Sequence, residues 1–495
     1  MTTTPTSPVT ATRQGQPLRP DPSRVVARLF IAGQEVVGGS DARATGLVGR
    51  LLALDEDEVQ ARVDELLVRF GGRHRDLVAT LSHHADRIGN RVGPDVELSE
   101  ARWLLLGATF THEFAVEAAA LCNPSLVADP DQSLAPPGGL RVIMSVRGIG
   151  EGHLSTIGFR TGTVTVDGEV EVDLPGPYPT LGTIDAGVFD RDVFHGRLVA
   201  LGRDGESAAL VLDHLGDSFS ADELEERLSL LAAQVDTRHN ARTIVAHLRT
   251  IAACSYGTHF PVDTQLSERV LWPATADESH GMEDARFVRF VDDDGSAAYL
   301  ATYTAFDGVN VRQQLLQTTD FVTFASSPMA GAAAIGKGLA LFPRRVAGRY
   351  AALSRHDHET NAIAFSDSLG QWGDATTIQV PRWDWEILQL GNCGSPIETD
   401  AGWLVLTHGV GPMRTYSIGA LLLDLDDPTR VIAMAPDPLL TPSADEQDGY
   451  VPNVVYTCGG LLHGDVLVIP YGIADASISV ATVSCTDLVG SMTRV

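Results

Sequence analysis

From about Leu140 onward the chain breaks into short β-type runs, and the shortness of the connections between them is its strongest folding constraint. Leu140–Val146, Gly162–Val172, Arg197–Leu201, Ala208–Leu212, Phe287–Val291, Ala298–Tyr303, Arg349–Ser354, Trp403–Thr407 and Val466–Tyr471 alternate with clusters of Gly, Asp, Pro and Asn. Parallel strands need a long crossover, usually helical, so this texture predicts antiparallel hairpins rather than βαβ units. The 48 Gly and 26 Pro fit many turns. A helical pattern interrupts only at residues 221–252, where Leu224 to Leu248 has amphipathic spacing and predicts an inserted helix or helix pair.

A faint repeat runs through the β region. Thr319-Asp320-Phe321-Val322-Thr323-Phe324 and Ser366-Asp367-Ser368-Leu369-Gly370-Gln371-Trp372 each place aromatics after a polar turn, where they could staple a sheet. A repeated four-strand unit with a turn signature is what a β-propeller shows, and at ~70 residues per unit Arg141 to Val495 holds about five. A sandwich or barrel fits the same strands.

The first third reads differently. Leu47, Leu51, Leu52, Val59, Val63, Leu66, Leu67 and Phe70 recur at three- and four-residue steps, continued by Leu77, Leu81 and Ile88. That spacing makes one apolar helix face. Pro94 and Asp95 break the run, Ser99 and Glu100 can start a last helix, and Trp103 to Cys122 forms another apolar stretch. The expected layout is a flexible arm over residues 1–40, a helical domain over 41–125 and a β domain over 126–495.

Composition removes several functions. Asp plus Glu number 64 against 36 Lys plus Arg, a net charge of −28 that argues against nucleic acid or an anionic membrane as partner. It leaves room for a small anion held by a few local cations. The five Cys (122, 254, 393, 458 and 485) form no CxxC pair, so neither a disulfide framework nor a zinc site is expected, and a reducing, cytoplasmic setting fits. No apolar run is long enough to span a bilayer. His356 and His358 share one strand face but lack a clear third ligand, so no metal is expected.

The densest chemistry lies in Gly281-Met282-Glu283-Asp284-Ala285-Arg286, ahead of an apolar run from Phe287. In a regular strand Glu283 and Asp284 point to opposite faces, so one faces a cleft while the other pairs with Arg286. A carboxyl held in a cleft can be tuned into a general acid. The Gly-rich loop Val146-Arg147-Gly148-Ile149-Gly150-Glu151-Gly152-His153-Leu154-Ser155 permits close backbone approach to a ligand, yet no helix pattern follows it and the phosphate-loop spacing is absent. A second Gly-rich turn spans Gly391-Asn392-Cys393-Gly394-Ser395-Pro396-Ile397-Glu398-Thr399.

Gly281 to Arg286, with Thr302-Tyr303-Thr304-Ala305-Phe306-Asp307-Gly308, Leu341-Phe342-Pro343, Gly402-Trp403-Leu404 through His408-Gly409-Val410, and Tyr471-Gly472-Ile473-Ala474-Asp475, resembles glycoside hydrolase family 130 in type and order. The resemblance covers residues 140–485 and implies a mainly β fold, a five-bladed β-propeller with a helical N-terminal domain. It implies cleavage of β-mannosidic bonds with inversion, most often by phosphorolysis to mannose 1-phosphate. Its partners would be a β-mannoside oligosaccharide and inorganic phosphate as co-substrate, with no cofactor, no nucleic acid and no membrane; homo-oligomer formation stays open. By resemblance Asp284 is the acid, passing its proton through a mannosyl hydroxyl. Arg147, Arg160, Glu283, Arg286, Asp307 and Asp475 contact the substrate, and Lys337, Arg355 and His408 hold phosphate. Ala285 stands where the family has Pro. Glu398 pulls toward the alternative, a β-mannosidase in which this carboxylate activates water. A non-catalytic carbohydrate-binding propeller is the alternative from another class.

Overall fold

The computed structural model describes residues 9–31, 42–93, 96–200, 203–232 and 241–495. Pro94 and Asp95 lie outside the described residues. The chain divides into two compact units, one of Asp21–Ala118 with Gly176–Thr180, the other of Met1–Pro20, Ala119–Pro175 and Leu181–Val495.

Among the described residues the smaller unit holds four α-helices, α1 (Ala42–Leu52), α2 (Glu56–Phe70), α3 (Leu77–Ile88) and α4 (Glu100–Thr109). Side-chain caps start three of them: Asp55 accepts from Glu58 N, Asp76 from Ala79 N and Ser99 from Arg102 N. Val48, Leu51, Ala85, Ile88, Leu106 and Phe110 form one apolar core. At Gly107 a Cβ would lie 1.9 Å from the Leu81 carbonyl oxygen, so only glycine lets α3 and α4 approach this closely. The apolar stretch from Trp103 is not one helix. α4 stops at Thr109, and Thr111–Ala115 becomes a strand paired antiparallel with Val25–Leu29. The partner comes from the segment expected to be a flexible arm, so a non-local pairing overrides the local pattern.

The larger unit is mainly β. Five antiparallel meanders follow one another. The first runs Ala120–Ala128, Leu140–Ile149, Ser155–Val164, Val170–Val172; the second Gly281–Val291, Ala297–Phe306, Val311–Thr318, Thr323–Pro328. The third comprises Ala340–Leu341, Tyr350–Ser354, Asn361–Ser366 and Ala375–Gln379. The fourth comprises Gln389–Asn392, Gly402–Val410, Tyr416–Leu423 and Val431–Met434. The fifth combines Val455–Tyr456, Val466–Ile473 and Ser477–Ser484 with Thr12–Leu18 from the far end of the chain. Each meander touches the next, and the fifth touches the first through Val466–Ile473 against Ala120–Ala128. The repeated turns behave as staples: Phe321 and Phe324 surround Phe159 in one core, and Trp372 is fully buried with its indole N–H donating to the Leu369 carbonyl.

Between the first two meanders lies a helical insertion of α5 (Arg191–Ala200), α6 (Glu206–Leu212), α7 (Ala221–Ala232) and α8 (Ala241–Ala252). The runs at 197–201 and 208–212, expected as strands, fall largely within α5 and α6. Phe194 with Leu198, and Ala208 with Val211 and Leu212, sit at helical spacing and pack on Phe189, Leu224, Leu228 and Leu248. Short apolar runs do not distinguish strand from buried helix by period alone.

Candidate active site

A β-bulge creates the centre of the site. Glu283 pairs with Thr304 and Arg286 with Thr302, so one more residue lies between them on the Glu283 strand than on its partner. Asp284 takes up the difference in the left-handed region, at φ +54. The expected split of Glu283 and Asp284 to opposite faces therefore does not hold, because the bulge turns both carboxyls toward Arg147. Its Nη2 donates to Glu283 Oε1 at 2.6 Å, Nη1 reaches Asp284 Oδ1 at 3.5 Å, and Nε donates to Ser155 Oγ at 2.9 Å.

Arg286 braces the bulge from behind. It is fully buried and donates to the carbonyls of Cys393 (2.8 Å) and Asp284 (2.7 Å) and to the Tyr456 hydroxyl (2.9 Å). Its Nη2 also lies 3.7 Å from Asp284 Oδ2. Burial alone would raise the Asp284 pKa, but Lys337, Arg286, Arg147 and Arg355 outweigh it and hold the carboxyl below its usual range. Glu283 moves the other way, raised by burial and by Asp284 against the pull of Arg147 and Lys337. Asp475, in a turn at φ +48, is pushed up to about 6 by burial and the neighbouring Asp284. The neighbouring carboxyls are thus pushed apart, Asp475 holding its proton up to about pH 6 while Asp284 stays ionised.

The phosphate-side candidates converge beside this trio. Gly391 marks the point of convergence: a Cβ there would lie 2.3 Å from Arg355 Nε and 2.7 Å from His408 Cε1. His408 is completely buried, stacked on Tyr416 (centroids 5.9 Å, 8° between planes) and edge-on to Tyr456 at 5.0 Å. Burial, Arg355 and Arg286 hold its pKa well below the usual value, so the imidazole is neutral. Arg355 Nε and His408 Nε2 are buried and have no hydrogen-bond partner among the described residues. Lys337 sits between Gly336 (φ +76) and Gly338 (φ +98), and among the cations it is the first to act on Asp284.

The remaining expected residues have partners of their own. Arg160 is buried in the strand Ser155–Val164, with Nη1 donating to the Phe159 carbonyl at 3.0 Å. Asp307 caps its own turn, accepting from Val309 N, Asn310 N and Asn310 Nδ2 at 2.9, 2.6 and 2.9 Å. Glu398 is exposed on the short strand Ile397–Thr399 and held by Arg344 at 2.6 and 2.9 Å. Asp357 closes a turn on Glu359 N and Thr360 N, and no group of three or more His, Cys, Asp or Glu among the described residues is placed to hold a metal ion.

Sequence reasoning passed over Tyr456, the hydroxyl that anchors Arg286, and Asn123. Asn123 is buried at φ +48 in a bulge next to Cys122, which pairs with Arg147, and its Oδ1 is unpartnered. An Asn before Pro124 is the only signal the sequence carries for it.

Comparison with known proteins gives the cluster its context. A family model described as beta-1,4-mannooligosaccharide phosphorylase matches residues 238–494. A 1,2-beta-oligomannan phosphorylase of Thermoanaerobacter sp. is 34% identical over 229 residues, covering 45% of this chain and 75% of the relative. A beta-1,2-mannobiose phosphorylase of Listeria innocua is 32% identical over 244 residues, covering 48% of this chain and 66% of the relative. The solved structure of beta-1,2-mannobiose phosphorylase from Listeria innocua with beta-1,2-mannobiose aligns over 77% of this chain and 93% of that one, at 20% identity and a TM-score of 0.46. With more than half of its length matched by the family model, the chain belongs to glycoside hydrolase family 130.

Proposed function

We propose that this protein cleaves β-mannosidic bonds by phosphorolysis with inversion, releasing α-mannose 1-phosphate from β-manno-oligosaccharides. One observation carries the reading: Arg355 Nε and His408 Nε2, buried and unpartnered, converge beside Asp284. Buried polar atoms are nearly always satisfied, so such a pair calls for a ligand rich in acceptor oxygens. Lys337, Arg355, Arg147 and Arg286 set four cations against the carboxylates Glu283, Asp284 and Asp475, a local positive excess in a chain of net charge −28. A phosphate dianion fits that excess.

Charge also explains how Asp284 gains its proton. In the free protein the cations keep it ionised. Phosphate entering beside Lys337 and Arg355 neutralises part of their field, so the Asp284 pKa rises as the substrate complex forms. In the step itself a phosphate oxygen forms a bond to C1 while the bond from C1 to the glycosidic oxygen breaks. The Asp284 proton passes through a mannosyl hydroxyl to that oxygen, and the phosphate monoester then returns a proton to Asp284. Arg147, Glu283 and Asp475 contact the mannosyl residue, and no cofactor takes part.

We assign the five meanders to a five-bladed β-propeller with this cluster at its centre. The cyclic order of meander contacts and the N-terminal strand Thr12–Leu18, which completes the fifth sheet, support it. Hydrolysis with Glu398 activating water is disfavoured by the Arg344 pair that engages this carboxylate. A cytoplasmic setting suits a sugar phosphate product, and no described helix is long and apolar enough to cross a membrane.

Asp284→Asn tests the assignment, since Asn also tolerates the left-handed backbone. The variant is expected to bind manno-oligosaccharide in calorimetry and to lose turnover by at least 1,000-fold, about 4 kcal/mol. Turnover that survives the change removes Asp284 from the acid role.

A further inference from the structure

We propose that the helical insertion builds the acceptor side of the site, where a cavity beside α5 takes the reducing-end sugars of β-manno-oligosaccharides longer than two residues. The inference rests on the phosphorolytic reading above. The cavity has a volume of about 680 Å³, within the range of small-ligand sites. Asp192, His195 and Val199 of α5 form one wall, at the i, i+3, i+7 spacing of a single helix face. Gln313, Ile335 and Gln371 stand opposite.

The cavity adjoins the reaction cluster along the sheet. Glu283 pairs with Thr304, and Thr304 pairs with Gln313, so acid strand and cavity wall share one row. With its amide oriented to accept, Gln313 takes the backbone N–H of Gly338 at 2.7 Å and of Leu339 at 3.2 Å. Gly336 lines the cavity, and its neighbour Lys337 acts on Asp284. One short loop therefore borders both spaces.

The insertion is clamped in place. Arg197 pairs with Asp277, which also holds Arg312 Nε at 3.1 Å. Gly196 lies so close to Gln371 that a Cβ would meet its Oε1 at 2.0 Å. The chemistry of the walls suits a sugar. Val199 (49% exposed) and Ile335 (59% exposed) offer apolar surface for the C–H face of a pyranose, while a carboxylate, an imidazole and two amides can meet its hydroxyls.

The test uses the full chain, comparing kcat and KM for β-1,2-mannobiose and β-1,2-mannotetraose, with the β-1,4 pair in parallel. Two variants at exposed positions of α5 are measured: Asp192→Ala with His195→Ala, and separately Val199→Glu. A fall of at least tenfold in the tetraose-to-biose ratio of kcat/KM in either, carried in KM, supports the proposal. A ratio unmoved in both, including an equal loss for both lengths, overturns it and leaves phosphorolysis standing. If the unmodified protein makes no mannose 1-phosphate from any of the four sugars, the phosphorolytic reading fails and this proposal with it.

Discussion

Arg147 joins the two neighbouring carboxylates of the bulge, with Nη2 at 2.6 Å from Glu283 and Nη1 at 3.5 Å from Asp284. A planar guanidinium can span both groups and Ser155 at once; an ammonium is a single point charge. Arg147→Lys is therefore expected to lower kcat/KM on the order of 100-fold, about 2.7 kcal/mol, while the protein remains folded. Steady-state kinetics with a melting curve on the same sample checks it; activity within threefold of the parent would show that the spanning geometry is unimportant.

Asp475 makes stability depend on pH. Its folded pKa is about 6 against a usual 3.8, so between those values the folded protein holds a proton that the unfolded chain has released. Stability from this group therefore falls as pH rises through that window, and the full cost, about 3 kcal/mol, is present above pH ~6. Asp475→Asn should raise resistance to urea at pH 8 by up to about 3 kcal/mol and change little at pH 4, while lowering activity. Equal gains at both pH values would contradict the assignment of the raised pKa.

Gly391 is needed for space. A methyl group at this position meets Arg355 Nε at 2.3 Å and His408 Cε1 at 2.7 Å, so one of the two must move. Gly391→Ala is expected to raise the KM for phosphate roughly tenfold, about 1.4 kcal/mol, and to affect the KM for the sugar less. Kinetics with each substrate varied in turn separates the effects; an unchanged phosphate KM would place the anion elsewhere.

Local pattern made the β texture, the helix start at Ser99 and the Glu283-Asp284-Ala285-Arg286 centre readable from the chain. Where long-range geometry decides, it misled. Nothing in Glu283-Asp284 signals the bulge that brings both carboxyls to Arg147, because the extra residue is defined only against Thr302 and Thr304. The Arg344 that engages Glu398 lies 54 residues away, so the pairing is invisible in the chain. Thr12–Leu18 reads as an arm because its partner, Ser477–Ser484, lies at the other end of the sequence. α5 and α6 looked like strands because their apolar faces span barely two turns.

The most direct measurement is phosphorus NMR of the protein with a β-manno-oligosaccharide, with and without inorganic phosphate. Phosphorolysis with inversion predicts α-mannose 1-phosphate in amounts matching the phosphate consumed, and no cleavage without phosphate. Free mannose released at the same rate in both samples would contradict it.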